Sequence, residues 1–548
     1  MFLTACKCNE KAICFSLLLF SVLFHCATGA FCQICKTLYL RRSAYITPKN
    51  TDKGKKPFYA MGTRMSSSST ERHVNELERE EQNDVAENVV TDSEGEDEFI
   101  RKYGEIDFKY IKRPKPAVWF IRPHALNYFE NGVLYRTKGE RTSGKTELFL
   151  DLMYVGIIAN VAGEASEHAL WGSFLQYVLF FIPYWTVWAD IKDFTNYYYS
   201  EDLSQKTYIL WILILLTLSV NSHSHVLKDR HGAALTIVPY ILCRLSLAVS
   251  LLVYSFFIPQ HRAQMRLYFC FLIATSCLWI PVIFISTRAK VAVSFVAIFC
   301  EQVSFCIVFH PRTKRWLKLT QSTALNIEHE VERLATFVTI AIGEFLYKVV
   351  ASLPLGVGMT TAFGRGCFLL IIAYNLFWLF YNGGTSDKAI HPLRHSAFRA
   401  ILWIYAHLPL VAAIVLAADA GGDLLTRELV YHTLEEVHRR AEEEAEEPNL
   451  RALSFFFTGG IFVALSCICL IGLLDECKDE PGKYMVPKFW RIIWRFPAGI
   501  LIVCLSLPNL DLTLLMGLVA LITAVLLVYE SIVSTPQKVK ESRYAVEI

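Results

Sequence analysis

The sequence lacks the signatures of the common soluble enzymes. It has no G-x-x-x-x-G-K-[ST] loop, no G-x-S-x-G elbow and no dinucleotide-binding fingerprint, which sets aside ATP-driven pumping by this chain alone. It also lacks H-E-x-x-H and any repeated H-x-x-x-H, so no spacing in it points to a metal centre or a cofactor. Net charge is only +3 over 548 residues, and the charges are sorted by position instead of pooled into one basic surface, so nothing in it points to nucleic acid and no nucleic-acid partner is expected. No internal repeat stands out.

Apolar residues dominate: 53% are hydrophobic and 13% aromatic, gathered into runs, as in a polytopic membrane protein. Of the 16 cysteines, those in or beside apolar segments, such as Cys243, Cys270, Cys300, Cys306 and Cys504, read as small packing residues. The rest crowd the first 35 residues, where Cys32 and Cys35 form a lone C-x-x-C with no second pair.

Residues 1–30 carry Lys7 and Lys11, an apolar run from Ala12 to Phe24 and then Ala27 and Gly29, a signal-like or targeting pattern. The basic residues that follow, Arg113, Arg122, Arg136, Arg141 and Lys145 among them, argue for the cytosolic side, so either Met61 is the working start or residues 1–60 are a removed presequence. Residues 31–98 are Ser-rich and then acidic, a disordered tail whose Ser93, among acids, could take phosphate. Residues 99–146 are basic and aromatic, suited to lying along the membrane surface.

Twelve apolar segments follow, near 147–165, 172–190, 207–225, 234–258, 267–286, 291–309, 334–352, 366–382, 400–418, 453–474, 492–508 and 511–530. Each is long enough to cross a hydrocarbon core of about 30 Å. The expected fold is therefore all-α: a polytopic transmembrane helix bundle over 147–531 with about twelve spans. Pro497 and Pro508 leave room for a re-entrant hairpin in the last pair. Cytosolic loops hold roughly thirty Lys and Arg against roughly ten outside when the first segment runs outward. Both termini, including the tail 532–548, are expected in the cytosol, and the plasma membrane is favoured over an organelle. The long outer loop, 419–452, has Leu429, Leu434 and Val437 at helical spacing and the acids Glu442 to Glu447, and reads as an amphipathic helix with a solvated face.

Glu147, Asp151 and Tyr154 share one helix face as the chain first enters the membrane. The run Glu147-Leu148-Phe149-Leu150-Asp151-Leu152 resembles the signature of the low-temperature-requirement A family of multi-pass membrane proteins. Asn196 and Asp202 resemble that family's polar loop, Glu332-Arg333 with Gly343-Glu344 its later helix, and His391-Pro392 and His407-Leu408-Pro409 two further landmarks. The resemblance covers roughly residues 140–530. Leu150 stands where the family usually has Phe, and Lys348 follows the Gly-Glu pair. It implies a membrane protein of unsettled activity, compatible with transport, a lipid enzyme or a scaffold.

Buried charge is the most informative feature, because hydrocarbon penalises it where water would not. Arg244, Glu301 and Glu344 fall near midplane; Glu344 lies eleven residues beyond Arg333, a rise of about 16 Å on nearly the same face. Arg244 is expected to pair with Glu344, Glu301 or Asp151 inside the bundle. These groups, with Glu147 and His407, form the candidate polar core; buried ion pairs that merely fix helix packing are the competing reading. Asp190, Lys192, Asp193, Asn196, Glu201 and Asp202 read as a polar loop beside Glu147 and Asp151, and Trp185, Trp188 and Tyr197 to Tyr199 as an interfacial aromatic belt. His329, Glu332 and Arg333, with His391, Arg394 and His395 on the next loop, form a cytosolic cluster suited to gating, lipid phosphate or, as a rival, metal-assisted lipid chemistry. The function expected is movement of an ion or small solute, with the bilayer as partner, no catalytic residue assigned and oligomeric state unread. The enzyme and scaffold readings are held as alternatives.

Overall fold

The structure is a computed structural model that describes residues 107–111, 117–137, 141, 143–351, 358–382, 389–434, 443–479, 482–508 and 510–536. Cys32 and Cys35, Ser93, the signal-like segment, the acidic tail and Arg113 lie outside the described residues.

Twelve helices carry the fold: α1 (Lys145–His168), α2 (Trp171–Tyr198), α3 (Leu203–Asn221), α4 (Arg230–Phe257), α5 (Arg262–Cys277), α6 (Thr287–Phe309), α7 (Ile327–Ala351), α8 (Thr361–Tyr381), α9 (Ala397–Leu434), α10 (Glu443–Leu474), α11 (Arg495–Cys504) and α12 (Leu512–Val533). Among the described residues, ten helical segments are long and apolar enough to span a membrane. α11, with ten residues, is too short to do so as one helix. The helices start where their sequence caps them. Asp202 accepts Gln205 N at 3.1 Å, Asp229 accepts Gly232 N at 3.0 Å, and Thr360 accepts Phe363 N at 3.1 Å. At the head of α1, Glu147 reaches back to Gly144 N at 2.8 Å.

The distribution of residue types is inverted relative to a water-soluble bundle. On α1, Phe149, Leu152 and Met153 face outward at 52%, 59% and 47% exposure, while Glu147 and Asp151 are wholly buried. The outer face of α12 (Leu521, Val525, Val528, Ile532) is likewise exposed and apolar. Only lipid makes that arrangement favourable, since water rewards the opposite one.

α1 sits at the centre, packed on α2, α3, α7 and α9. α4 to α6 pack in sequence on one side, and α8 to α12 form the other side. Small residues let α9 and α10 approach closely: a Cβ on Gly460 would lie 2.7 Å from the Ala413 carbonyl.

Four features differ from the sequence reading. α2 continues to Tyr198, so Asp190 to Asn196 are the buried last turns of a helix and not a loop. Trp185, Trp188, Tyr197 and Tyr198 are buried there as well, so they are core and not an interfacial belt. α9 runs on to Leu434 and α10 begins at Glu443, which replaces the long 419–452 loop and its separate amphipathic helix with extensions of two spans; residues 435–442 lie outside the described residues. Finally, the segment before α1 builds strands β1 (Phe108–Ile111), β2 (Asn127–Glu130) and β3 (Val133–Thr137). With β4 (Gln321–Thr323), from the α6–α7 link, they form a sheet in the order β1-β3-β2-β4. Asn131 and Gly132, at φ 49° and 91°, make the tight β2–β3 turn, a conformation glycine and asparagine tolerate best. The sheet lies at the end of the bundle where α1 starts, here termed the near end.

Candidate functional site

The last turns of α2 organise a charged network in the near half of the bundle. Successive polar residues on this helix reach α1, α4, α5 and α7. Trp188 donates its indole N–H to Asp151 of α1 at 2.8 Å. Asp190 pairs with Arg244 of α4 and accepts the Tyr268 hydroxyl of α5 at 2.6 Å. Lys192 pairs with Glu330 of α7 and with Asp193 at 2.8 Å. Asn196 holds the start of α7, donating to the Asn326 carbonyl at 3.0 Å and accepting Asn326 N at 2.9 Å.

α1 and α7 face each other with matched pairs four residues apart. Spacing of four puts Glu147 and Asp151 on one face of α1, and His329 and Arg333 on one face of α7. His329 Nε2 lies 3.1 Å from Glu147, Arg333 Nη2 donates to Asp151 at 2.7 Å, and Arg333 Nη1 is 3.7 Å from Glu147. All four are wholly buried. Arg141, before α1, closes the near end, donating to Glu147 at 3.2 Å and to the Asn196 carbonyl at 2.9 Å. Asn196 Nδ2 also lies 3.3 Å from His329 Nδ1, so Nδ1 accepts and the Nε2–H tautomer donates to Glu147. A second lobe surrounds Glu301 on α6, which accepts Tyr240 at 2.8 Å and Trp279 at 3.0 Å and lies 3.6 Å from Arg244 Nε.

This network is not neutral. Among the described residues its cations are Arg141, Lys192, Arg244 and Arg333, with His329 neutral; its carboxylates are Glu147, Asp151, Asp190, Asp193, Glu301 and Glu330, two more than the cations. Six ionised carboxylates beside four cations are costly in low-dielectric surroundings, a cost that protonation or a further cation lowers. Polar capacity also remains unspent: among the described residues, Asp151 Oδ2, Glu330 Oε2, Arg333 Nε and Arg244 Nε have no hydrogen-bond partner.

The sequence-assigned residues divide into two groups. Glu147, Asp151, Arg244, Glu301, His329 and Arg333 belong to the network. Of the three partners offered for Arg244, the structure supplies Glu301, alongside Asp190. Glu332 borders the network by accepting Ser143 N at 3.2 Å. The others lie apart. Glu344 stands toward the far end, one turn before Lys348, which pairs with Asp419 of α9. His407 is enclosed by aromatic rings, its centroid 4.5 Å from that of Trp403, with Nδ1 at 2.9 Å from the Trp403 carbonyl. His391 caps the short helix Pro392–His395 by accepting Leu393 N at 3.3 Å and packs edge-on against Trp403, and burial pushes its imidazole down to about 4. Arg394, in that same turn, donates its backbone N–H to the His391 carbonyl at 2.9 Å. No group of three or more His, Cys, Asp or Glu among the described residues is placed to hold a metal, so His329, Glu332 and His391 are not assembled as ligands; the His395 side chain lies outside what the structure describes.

Reasoning from sequence passed over Asp190, Lys192, Glu330, Arg141 and Asp419 as interior groups. The signal for the first two was present: Trp188, Phe194, Tyr197 and Tyr198 continue the buried pattern of α2 past the point where mean hydropathy drops.

An apolar exterior around an ion-paired interior defines a multi-pass helical membrane protein. The chain matches the bacterial low temperature requirement A protein (LtrA) family over residues 142–531 and belongs to it. It is similar to an uncharacterized protein of Rhizobium meliloti (strain 1021), 22% identical over 282 residues, which are 50% of this chain and 67% of that one. No solved structure matches it.

Proposed function

We propose that this chain moves an ion or small solute across its membrane, with the acid-rich network on α1, α2, α4, α6 and α7 as the place where a cation or proton rests. The observation that carries the reading is the excess of two carboxylates over cations in a buried network that still has unpaired carboxylate oxygens. A set of pairs meant only to fasten helices would close its charge and its hydrogen bonds. In this reading the near end and both termini are cytosolic, because the lysines and arginines outside the spans cluster there.

The test is flux in liposomes containing the purified protein and a trapped pH dye, under imposed proton and cation gradients. Wild type is expected to carry a flux that Glu330→Gln or Glu301→Gln lowers, with the variants still monodisperse. Absence of flux for any ion from folded protein, or wild-type flux in both variants, would overturn the assignment. The lipid-enzyme alternative gains nothing from the structure, since His329 is spent on Glu147 and His391 on a helix cap.

A further inference from the structure

A cavity of about 260 Å³ lies in the far half of the bundle, between α2, the α3–α4 link, α4, the α5–α6 link and the start of α6. Its walls are almost wholly apolar, with Leu179, Phe180, Ile237 and Val282 among them. Several of its polar groups are used elsewhere: the Ser219 hydroxyl donates to the Thr236 carbonyl at 2.8 Å, the Thr236 hydroxyl to the Gly232 carbonyl at 3.0 Å, and Tyr240 and Trp279 to Glu301, while Gln176 and Ser294 add a neutral amide and a hydroxyl to the lining.

Lys290 is the charged group in the lining. Its side chain lines the cavity, is only 5% exposed, and donates to a single acceptor, the Val226 carbonyl, at 2.7 Å. An ammonium has three donors, and no carboxylate pairs with this one among the described residues. Asp229 acts on it only through space and uses Oδ1 to cap α4 at Gly232. The links around this mouth add Lys228, Arg230 and Arg288, all exposed. A buried cation with no carboxylate in contact is costly unless an anion meets it. Lys290 lies eleven residues before Glu301 on α6, a rise of about 16 Å, so an apolar channel separates the cationic mouth from Tyr240 and Trp279.

We infer that this cavity binds an anionic single-chain amphiphile, its carboxylate or phosphate on Lys290 and its acyl chain running between α2, α4 and α6 toward Tyr240 and Trp279. An acyl chain fits walls that are almost wholly apolar, and the anion gives the Lys290 ammonium a partner charge. The site is separate from the carboxylate network but touches it, because the tail abuts the two side chains that donate to Glu301. It stands whether or not the protein carries a flux.

The full chain in nanodiscs of uncharged phosphatidylcholine allows a direct test with chain-brominated probes: a fatty acid, a lysophosphatidate and the matching fatty alcohol. Bromine quenches tryptophan at contact, and subtracting Trp279→Phe isolates Trp279. The expected result is saturable quenching of Trp279 by the two anionic probes, about tenfold weaker binding of both in Lys290→Met, and near-wild-type binding in Lys290→Arg. A preference for one anionic probe identifies the head as carboxylate or phosphate. Leu179→Trp, which fills the cavity from α2, is expected to abolish the saturable component. Equal binding of the alcohol, equal binding by Lys290→Met, or no saturable quenching in folded wild type would each overturn the inference.

Discussion

Arg495 and Arg333 are both wholly buried arginines facing a carboxylate on a neighbouring helix, and they represent opposite uses of the same chemistry. Arg495 binds Glu530 of α12 with both prongs, Nε to Oε1 at 2.7 Å and Nη2 to Oε2 at 2.6 Å, and gives Nη1 to the Ile468 carbonyl at 3.1 Å. One cation meets one anion in a bidentate fork, and neither residue leaves a buried polar atom unpaired. Arg333 touches Asp151 with one nitrogen, lies 3.7 Å from Glu147, and belongs to a set in which acids outnumber bases. The first site is a closed fastener between α11 and α12. The second is open in both charge and hydrogen bonding, which is what a site that takes up a cation or proton requires.

The largest effect expected from this contrast is at the fastener. Arg495→Leu or Glu530→Leu alone strands a buried charge and should cost about 3–5 kcal/mol, seen as loss of monodisperse protein, whereas the double leucine variant should recover most of the stability and keep wild-type flux. Arg333→Leu should destabilise similarly, but its rescue by Asp151→Leu should restore the fold without the flux. If both double variants transported normally, the distinction between the two sites would fail. Next in size, Glu330→Gln removes one of the excess carboxylates while keeping shape, and should lower flux about tenfold with a small change in unfolding temperature. Glu344→Gln, outside the network, should act more weakly than Glu330→Gln; the reverse order would move the site toward Lys348 and Asp419.

The smallest effect concerns His391, outside the spans. Its imidazole is held at about 4 by burial, below the usual value of 6.5, so the unfolded chain takes up the proton first as pH falls. The stability it contributes is full above about 6.5 and is lost as pH drops toward 4. His391→Asn preserves the helix cap and should therefore lose less unfolding temperature than wild type across that interval.

Much of this architecture could be read in the residues, and the rest failed for identifiable reasons. Glu147, Asp151 and Tyr154 do share the buried face of α1, because helical spacing combined with the cost of charge in lipid leaves one orientation. The end of α2 was lost because hydropathy scores Asp190 and Lys192 as solvent-seeking, while the structure satisfies them with Arg244 and Glu330 from helices far along the chain. Pairings of this kind depend on which helices meet, and no local pattern encodes that. The hairpin at Asn131-Gly132 was legible: that dipeptide between Tyr128-Phe129 and Val133-Leu134 is a strong turn signal, obscured here by the basic and aromatic character of the segment.

The central claim is that the near-half network holds protons or a cation that the Arg495 site does not. Infrared spectroscopy of the purified protein at neutral pH, during a cation titration, reads this directly through the carboxyl stretch. The account predicts a protonated-carboxyl band in wild type that cations diminish, that is smaller in Glu330→Gln, and that is unchanged in the Arg495→Leu/Glu530→Leu double variant. A spectrum with no protonated carboxyl and no response to any cation would contradict it.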